Sequence, residues 1–135
     1  MFLEKEQIES IKSQLIQAID PFLIIIFGSY AKGNTREDSD IDIAFLSNQT
    51  FNEYEVITVA QQLADKLGRE VDLIDINKAS TVFKAQIIGA GKVIYCSDET
   101  KRMNFMMRAL KEYALLNEER AVILEKIKER GKVYG

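Results

Sequence analysis

Apolar residues recur along the chain with two different periods, and the switches between those periods predict its elements. Ile8, Ile11, Leu15 and Ile19 repeat at helical spacing, so an amphipathic helix is expected over residues 4–19. Asp20-Pro21 ends it, because the residue before a proline is pushed out of the helical region. The unbroken apolar run from Phe22 to Phe27 then reads as a buried strand. Ile41, Ile43 and Phe45 alternate with Asp42, Ala44 and Leu46, which predicts a second strand, apolar on one face and acidic at the start of the other. Val56, Ala60, Leu63 and Leu67 mark the next helix, stopped at Gly68. Val71 to Ile76 is a third strand. Ser80 caps a helix over 81–90 that Gly89 and Gly91 close, and Val93 to Tyr95 forms a short edge strand.

From Asp98 to Arg130 the spacing is helical again, with Met103, Met106, Leu110, Tyr113, Ala121, Leu124 and Ile127 on one stripe. At 1.5 Å rise such a helix is ~45–50 Å long, more than the width of a domain this size, so it is expected to project or to break near Asn117. A Met-rich stripe at this spacing is read as core, or otherwise as an adaptable partner surface. The order of elements predicts an α/β fold, a small mixed β-sheet packed with helices and a long C-terminal helix. A length of 135 residues fits a single domain over 1–135, with 98–130 as a C-terminal helical extension.

Composition narrows the chemistry. The chain has no His, no Trp and one Cys, Cys96, which excludes a Ser-His-Asp triad, a Cys/His zinc site and a disulfide within it. Catalysis is left to carboxylates. The net charge of −3 hides an asymmetry: residues 1–100 hold 9 basic and 16 acidic side chains, whereas 101–135 hold 9 and 5. An acidic body makes nucleic acid a poor direct ligand, since that binding rests on neutralising phosphates. The basic tail either steers toward an acidic protein surface or a nucleotide, or is a solvated helix face. No apolar run approaches the ~20 residues that span a bilayer, and the start is not a signal peptide, so a cytoplasmic protein with no membrane partner is expected.

The residues that carry chemistry lie between the first two strands: Gly28-Ser29, ten residues, then Asp40-Ile41-Asp42. A glycine directly after a buried strand lets the backbone approach a ligand closely, and Ser29 offers a hydroxyl and an amide N–H to a phosphate oxygen. Asp40 and Asp42, two apart on a strand, leave the same face. Their mutual repulsion is relieved by Mg²⁺, which leaves places for triphosphate oxygens. A third carboxylate is expected on a neighbouring strand, where Val71-Asp72-Leu73-Ile74-Asp75 supplies two that point to opposite faces. Asp72 is chosen, because Val71 and Leu73 then bury on the core side; Asp75 is the runner-up. Asp72 would complete the metal site and help deprotonate an acceptor hydroxyl. Lys32 and Arg36, between the motif halves, either neutralise triphosphate charge or form an ordinary basic loop. Gly33 serves a tight turn, and Ser39 orients the strand start.

Phe27-Gly28-Ser29-Tyr30-Ala31-Lys32-Gly33 through Ser39-Asp40-Ile41-Asp42-Ile43 resembles the signature of the DNA polymerase beta-like nucleotidyltransferase superfamily: Gly-Ser, ten residues, Asp-x-Asp. Residues ~20–95 look like the minimal nucleotidyltransferases, and more closely like the antitoxins of bacterial HEPN/minimal-nucleotidyltransferase toxin–antitoxin modules. The resemblance implies that ATP and Mg²⁺ bind at Ser29, Asp40, Asp42 and Asp72. It further implies that AMP moves onto a tyrosine of a HEPN toxin, an RNase, and silences it. Relatives that act on small molecules carry an added substrate domain for which this length has no room, so a partner protein is expected to supply the acceptor. Two other readings are an antitoxin that neutralises by binding alone, and a small-molecule nucleotidyltransferase subunit that needs a partner.

Overall fold

A computed structural model describes residues 3–28 and 40–134, with side chains as far as Arg130. None of the four strands stands alone: each is flanked by a helix whose end is chemically marked. Helix α1 (Lys5–Ile19) opens on a capping box between Glu4 and Gln7 and closes at Asp20, whose φ of 43° turns the chain sharply into β1 (Pro21–Phe27). Strand β2 (Ile41–Ser47) leads to α2 (Glu53–Leu67), capped by the Asn52 side chain, which accepts from the Glu55 N–H at 2.8 Å, and ended by Gly68 at φ 67°. Strand β3 (Val71–Asp75) runs into a short 3₁₀ turn (Ile76–Lys78), followed by α3 (Thr81–Ala90), β4 (Lys92–Cys96) and α4 (Glu99–Tyr134).

The sheet order is β3-β2-β1-β4. β1 runs antiparallel to both β2 and β4, while β2 and β3 are parallel, so the sheet is mixed, as the sequence predicts. Because β1 and β2 lie at its centre, they are buried on both faces: Ala44 and Leu46 are as buried as Ile43 and Phe45, and only the start of the second face of β2, at Asp42, is acidic. On one face, α1 and α2 press Ile11, Leu15 and Leu63 onto Ile24, Ile26, Ile43 and Phe45. On the other, α3 and the start of α4 cover Leu23, Ile25, Ala44 and Leu46 with Ile87, Phe83 and Phe105. Ser47 ties the ends together: its buried hydroxyl donates to the Ile19 carbonyl at 2.9 Å.

Three local expectations are decided by the tertiary structure. Gly89 lies inside α3, and Gly91 alone caps it, donating its N–H to the Ile87 carbonyl at 2.8 Å. Of the two outcomes expected for the last helix, it projects and does not break at Asn117; it is continuous over 36 residues, ~54 Å at 1.5 Å per residue. Its Met-rich stripe is not core. Ala109 is buried, with Phe105 and Met106 partly so, but Met103 and Met107 are 54% and 67% exposed. The sheet is too short to cover so long a helix, so only its first half finds a partner surface. Residues 117–130 are exposed throughout, including Val122, Ile123, Leu124 and Ile127. Deleting 118–135 is therefore expected to leave one cooperative thermal transition in circular dichroism, with its midpoint within about 2 °C of the full chain; loss of that transition would mean the overhang supports the body.

Candidate functional site

Strand register brings three motif positions to one end of the sheet. Phe27, the last residue of β1, stands opposite Asp42, and Asp42 stands opposite Asp72 on the parallel strand β3. In a parallel pair, residues in register present their side chains on the same face, so both carboxylates emerge on the face that α3 covers farther along. Asp40 sits one residue before β2 and is exposed rather than part of the strand.

Gly28 follows Phe27 with φ 72°, a backbone conformation that side chains oppose. A Cβ at this position would collide with the Asp42 carboxylate. Two requirements thus coincide on one residue: the chain must turn left-handed out of β1, and it must leave room for Asp42. The group that the Gly28 backbone approaches within the protein is the Asp42 carboxylate.

The electrostatics follow from this crowding. Asp42 is half-buried, and its carboxyl is pushed up from the ordinary 3.8 to about 6. Burial contributes most, followed by the charge of Asp72, a side-chain hydrogen bond with Asp72 and the charge of Asp40. Among the described residues no cationic side chain contributes to this shift. Among the described residues no group of three or more His, Cys, Asp or Glu side chains is closed into a ready metal cage. The donor set is nonetheless of the kind Mg²⁺ takes, because that ion is commonly held by one or two carboxylates, water and substrate phosphates rather than by an all-protein cage.

Of the two acidic residues on β3, Asp72 is the one beside Asp42. Asp75 lies opposite Phe45 at the other end of the strand, where its carboxylate accepts from the Asn77 N–H at 3.1 Å and caps the 3₁₀ turn. Ser29, Lys32, Gly33, Arg36 and Ser39 lie outside the described residues.

Beside Asp42, between the end of β1 and α3, a cleft of about 560 Å³ has Phe27, Phe83, Gln86, Ile87 and Gly89 among its walls. Phe27 and Phe83 meet edge to face, with centroids 5.8 Å apart. Neither Phe83 nor Gln86 carries a motif. Their position is set by the crossing of α3 over β1, which no local pattern reports.

A family model described as "Polymerase beta, Nucleotidyltransferase" matches residues 9–100. A protein adenylyltransferase MntA of Shewanella oneidensis is 35% identical over 105 residues, covering 78% of this chain and 75% of that protein. A second MntA, from Thermococcus cleftensis, is 36% identical over 76 residues, or 53% of this chain and 77% of the relative. Among solved structures, a chain of a toxin–antitoxin crystallised with AMP-PNP superposes with a TM-score of 0.80 at 33% identity, covering 89% of this chain and 97% of that one. A chain from the complex of tri-AMPylated Shewanella oneidensis HEPN toxin with MNT antitoxin gives 0.78 at 30%, covering 93% and 98%. The Gly-Ser and Asp-x-Asp motifs fall inside the matched segment, with Gly28 and Asp42 on the sheet end where Asp42 and Asp72 meet, and the chain belongs to the polymerase beta nucleotidyltransferase family.

Proposed function

We propose that this chain is a Mg²⁺-dependent protein adenylyltransferase that moves AMP from ATP onto a tyrosine of a HEPN-type RNase toxin and so acts as its antitoxin. The observation that carries the reading is the pair Asp42 and Asp72 in register, with Gly28 folded against the Asp42 carboxylate. The similarity to proteins called protein adenylyltransferases, and to chains from toxin–antitoxin complexes, supports it. The reading includes a cytoplasmic location; no described helix is long and apolar enough to cross a membrane. It also takes 1–135 as a single nucleotidyltransferase domain with α4 as its extension.

Each residue has a task. Gly28 brings the backbone close to the triphosphate, and Ser29 holds a phosphate oxygen through its hydroxyl and N–H. Lys32 and Arg36 neutralise phosphate charge, and Ser39 orients the approach to β2. Asp40, Asp42 and Asp72 hold Mg²⁺, which when bound supplies a positive centre for the charge that develops on the phosphoryl oxygens. The acceptor oxygen attacks the α-phosphorus, the bond from that phosphorus to the bridging oxygen breaks, and pyrophosphate leaves. Asp72, the more exposed of the pair, receives the acceptor proton. The overhanging half of α4 is where the toxin docks: a sheet-packing stripe continues past the sheet as Ile123, Leu124 and Ile127 with Arg120 and Arg130 among them, apolar and basic together.

Incubation with ATP, Mg²⁺ and the HEPN partner should add the mass of AMP residues to the partner. Inhibition of the toxin without a mass change would instead mark neutralisation by binding alone, and transfer to an aminoglycoside would mark a small-molecule enzyme. Replacing Asp40 and Asp42 together by Ala should lower transfer by at least about a thousandfold while the circular dichroism spectrum stays native. Gly28→Ala should also lose transfer, and should destabilise by about 1–2 kcal/mol through the left-handed φ and the collision with Asp42.

The raised Asp42 carboxyl makes stability depend on pH in a stated direction. The folded state holds this proton more tightly than the unfolded chain, so its contribution is full below 3.8 and is lost as pH rises through about 6. After discounting for solvent screening at a half-exposed group, this amounts to about 1 kcal/mol. Thermal melts at pH 5 and pH 7.5 should show it as extra stability at the lower pH, absent in Asp42→Asn. Mg²⁺ should raise the midpoint of the wild type at pH 7.5 more than that of the variant.

A further inference from the structure

We infer that the free edge of β3 receives the acceptor-bearing segment of the partner as an added strand, which sets its tyrosine beside Asp72 and an apolar neighbour in the groove between α2 and α3. The inference rests on the transfer proposed above and adds to it the way the acceptor is held.

The edge is fitted for pairing. β3 is the last strand of the sheet, with β2 on one side and no described strand on the other. The Ile41 N–H donates to the Glu70 carbonyl at 2.9 Å, and strand backbones alternate in direction, so Asp72 and Ile74 also turn their amides and carbonyls toward β2. Val71, Leu73 and Asp75 turn theirs outward. An extended segment offers the complementary row of donors and acceptors at the same spacing. The opposite edge of the sheet discourages such an addition: β4 carries Lys92, and its register against β1 is irregular. β3 has no Lys or Pro and keeps an unbroken register with β2.

The groove beside this edge indicates what the segment carries. About 450 Å³ in volume, it lies along the second half of β3, with Val56, Ile57, Ile74 and Phe83 among its apolar walls. Tyr54, one turn before Ile57 on α2 and also exposed, extends the apolar surface outward. Asp72 and Ile74, two apart on one strand, share a face. A strand added at this edge therefore places one side chain beside Asp72 and the next on that face beside Ile74 and Phe83. The first is the tyrosine whose proton Asp72 receives, and the second is a large apolar residue. Charge adds a further requirement. Glu53 and Asp75 outnumber Lys78 in the groove, and the Lys78 ammonium donates to the Phe51 carbonyl. The groove is negative on balance and calls for a lysine or arginine next to the apolar residue. Because β3 carries both Asp72 and this groove, docking and chemistry share one rigid element.

The full chain with the HEPN partner tests this in two ways. Residue-resolved amide exchange should slow by at least about tenfold at Leu73 and Asp75 when the partner binds, and stay unchanged at Asp72 and Ile74, which β2 already protects. Ile57→Lys and Glu53→Gln should each raise the KM for the partner by about tenfold, while the midpoint shift given by ATP and Mg²⁺ stays that of the wild type. A raised KM without protection at Leu73 and Asp75 means that a helix or a folded face covers the groove, and overturns the added strand. An unchanged KM in both variants overturns the inference and leaves the transferase reading standing. Protection of both amides with no gain in partner mass on adding ATP and Mg²⁺ upholds the added strand and sinks the transferase reading. If the partner neither binds nor gains mass, both fall.

Discussion

Three carboxylates drawn to one end of a small sheet repel one another, and much of the architecture can be understood as what holds them there. Asp42 and Asp72 cannot separate, because each is fixed by a strand whose neighbouring residues, Ile41, Ile43 and Leu73, are buried in the core. Nor can Asp42 turn away freely, since Gly28 closes over it at the end of β1. The consequence is a carboxyl raised to about 6, meaning that the folded chain carries an electrostatic penalty at neutral pH. A bound cation with triphosphate would reverse the sign of that penalty. Strain of this kind is tolerated at functional sites when the surrounding packing determines the geometry several times over.

That packing comes from burying both faces of the two central strands. With α1 and α2 on one face and α3 and α4 on the other, β1 and β2 have no solvent side, and their backbones are paired along both edges. Such strands are poor places for motion, which would suit the proposed task of holding reacting atoms within a fraction of an ångström. The side chains of the candidate site sit where this rigid centre ends. Gly28, Asp42 and Asp72 are all at strand termini, and Asp40 is one residue outside. The same logic explains why Asp75 is spent on structure: at the far end of β3 its carboxylate caps a turn.

The helical layer divides in two. Its packed part, α3 and the first half of α4, closes the second core and shapes the cleft beside Asp42. Its unpacked part projects, and its apolar residues face water in the isolated chain. A helix whose stripe outruns the sheet beneath it has a surface of the sort that partner proteins cover.

Nearly all elements were legible in the amino-acid order, because helix caps such as Asn52 and Ser80, the Asp20-Pro21 stop and the apolar runs are local signals. The Gly-Ser and Asp-x-Asp spacing was legible for the same reason: close approach and shared strand face are properties of a few adjacent residues. Burial was less so. Ala44 and Leu46 alternate with Ile43 and Phe45 equally well in a half-exposed or a central strand, and only the strand order decides between them. The Met103 stripe has core-like spacing, but whether a sheet lies under it depends on the sheet's length. The alternation that buries Val71 and Leu73 already favoured Asp72 over Asp75, and the β2–β3 register puts it beside Asp42; the cleft walled by Phe83, Gln86 and Gly89 needed the path of α3 across β1. What the sequence by itself determined was the set of elements and the chemistry available to them, since both follow from residues within a few positions of each other. What only the tertiary structure decided was which of those residues meet, because contacts between distant segments are set by register and packing that no local period encodes.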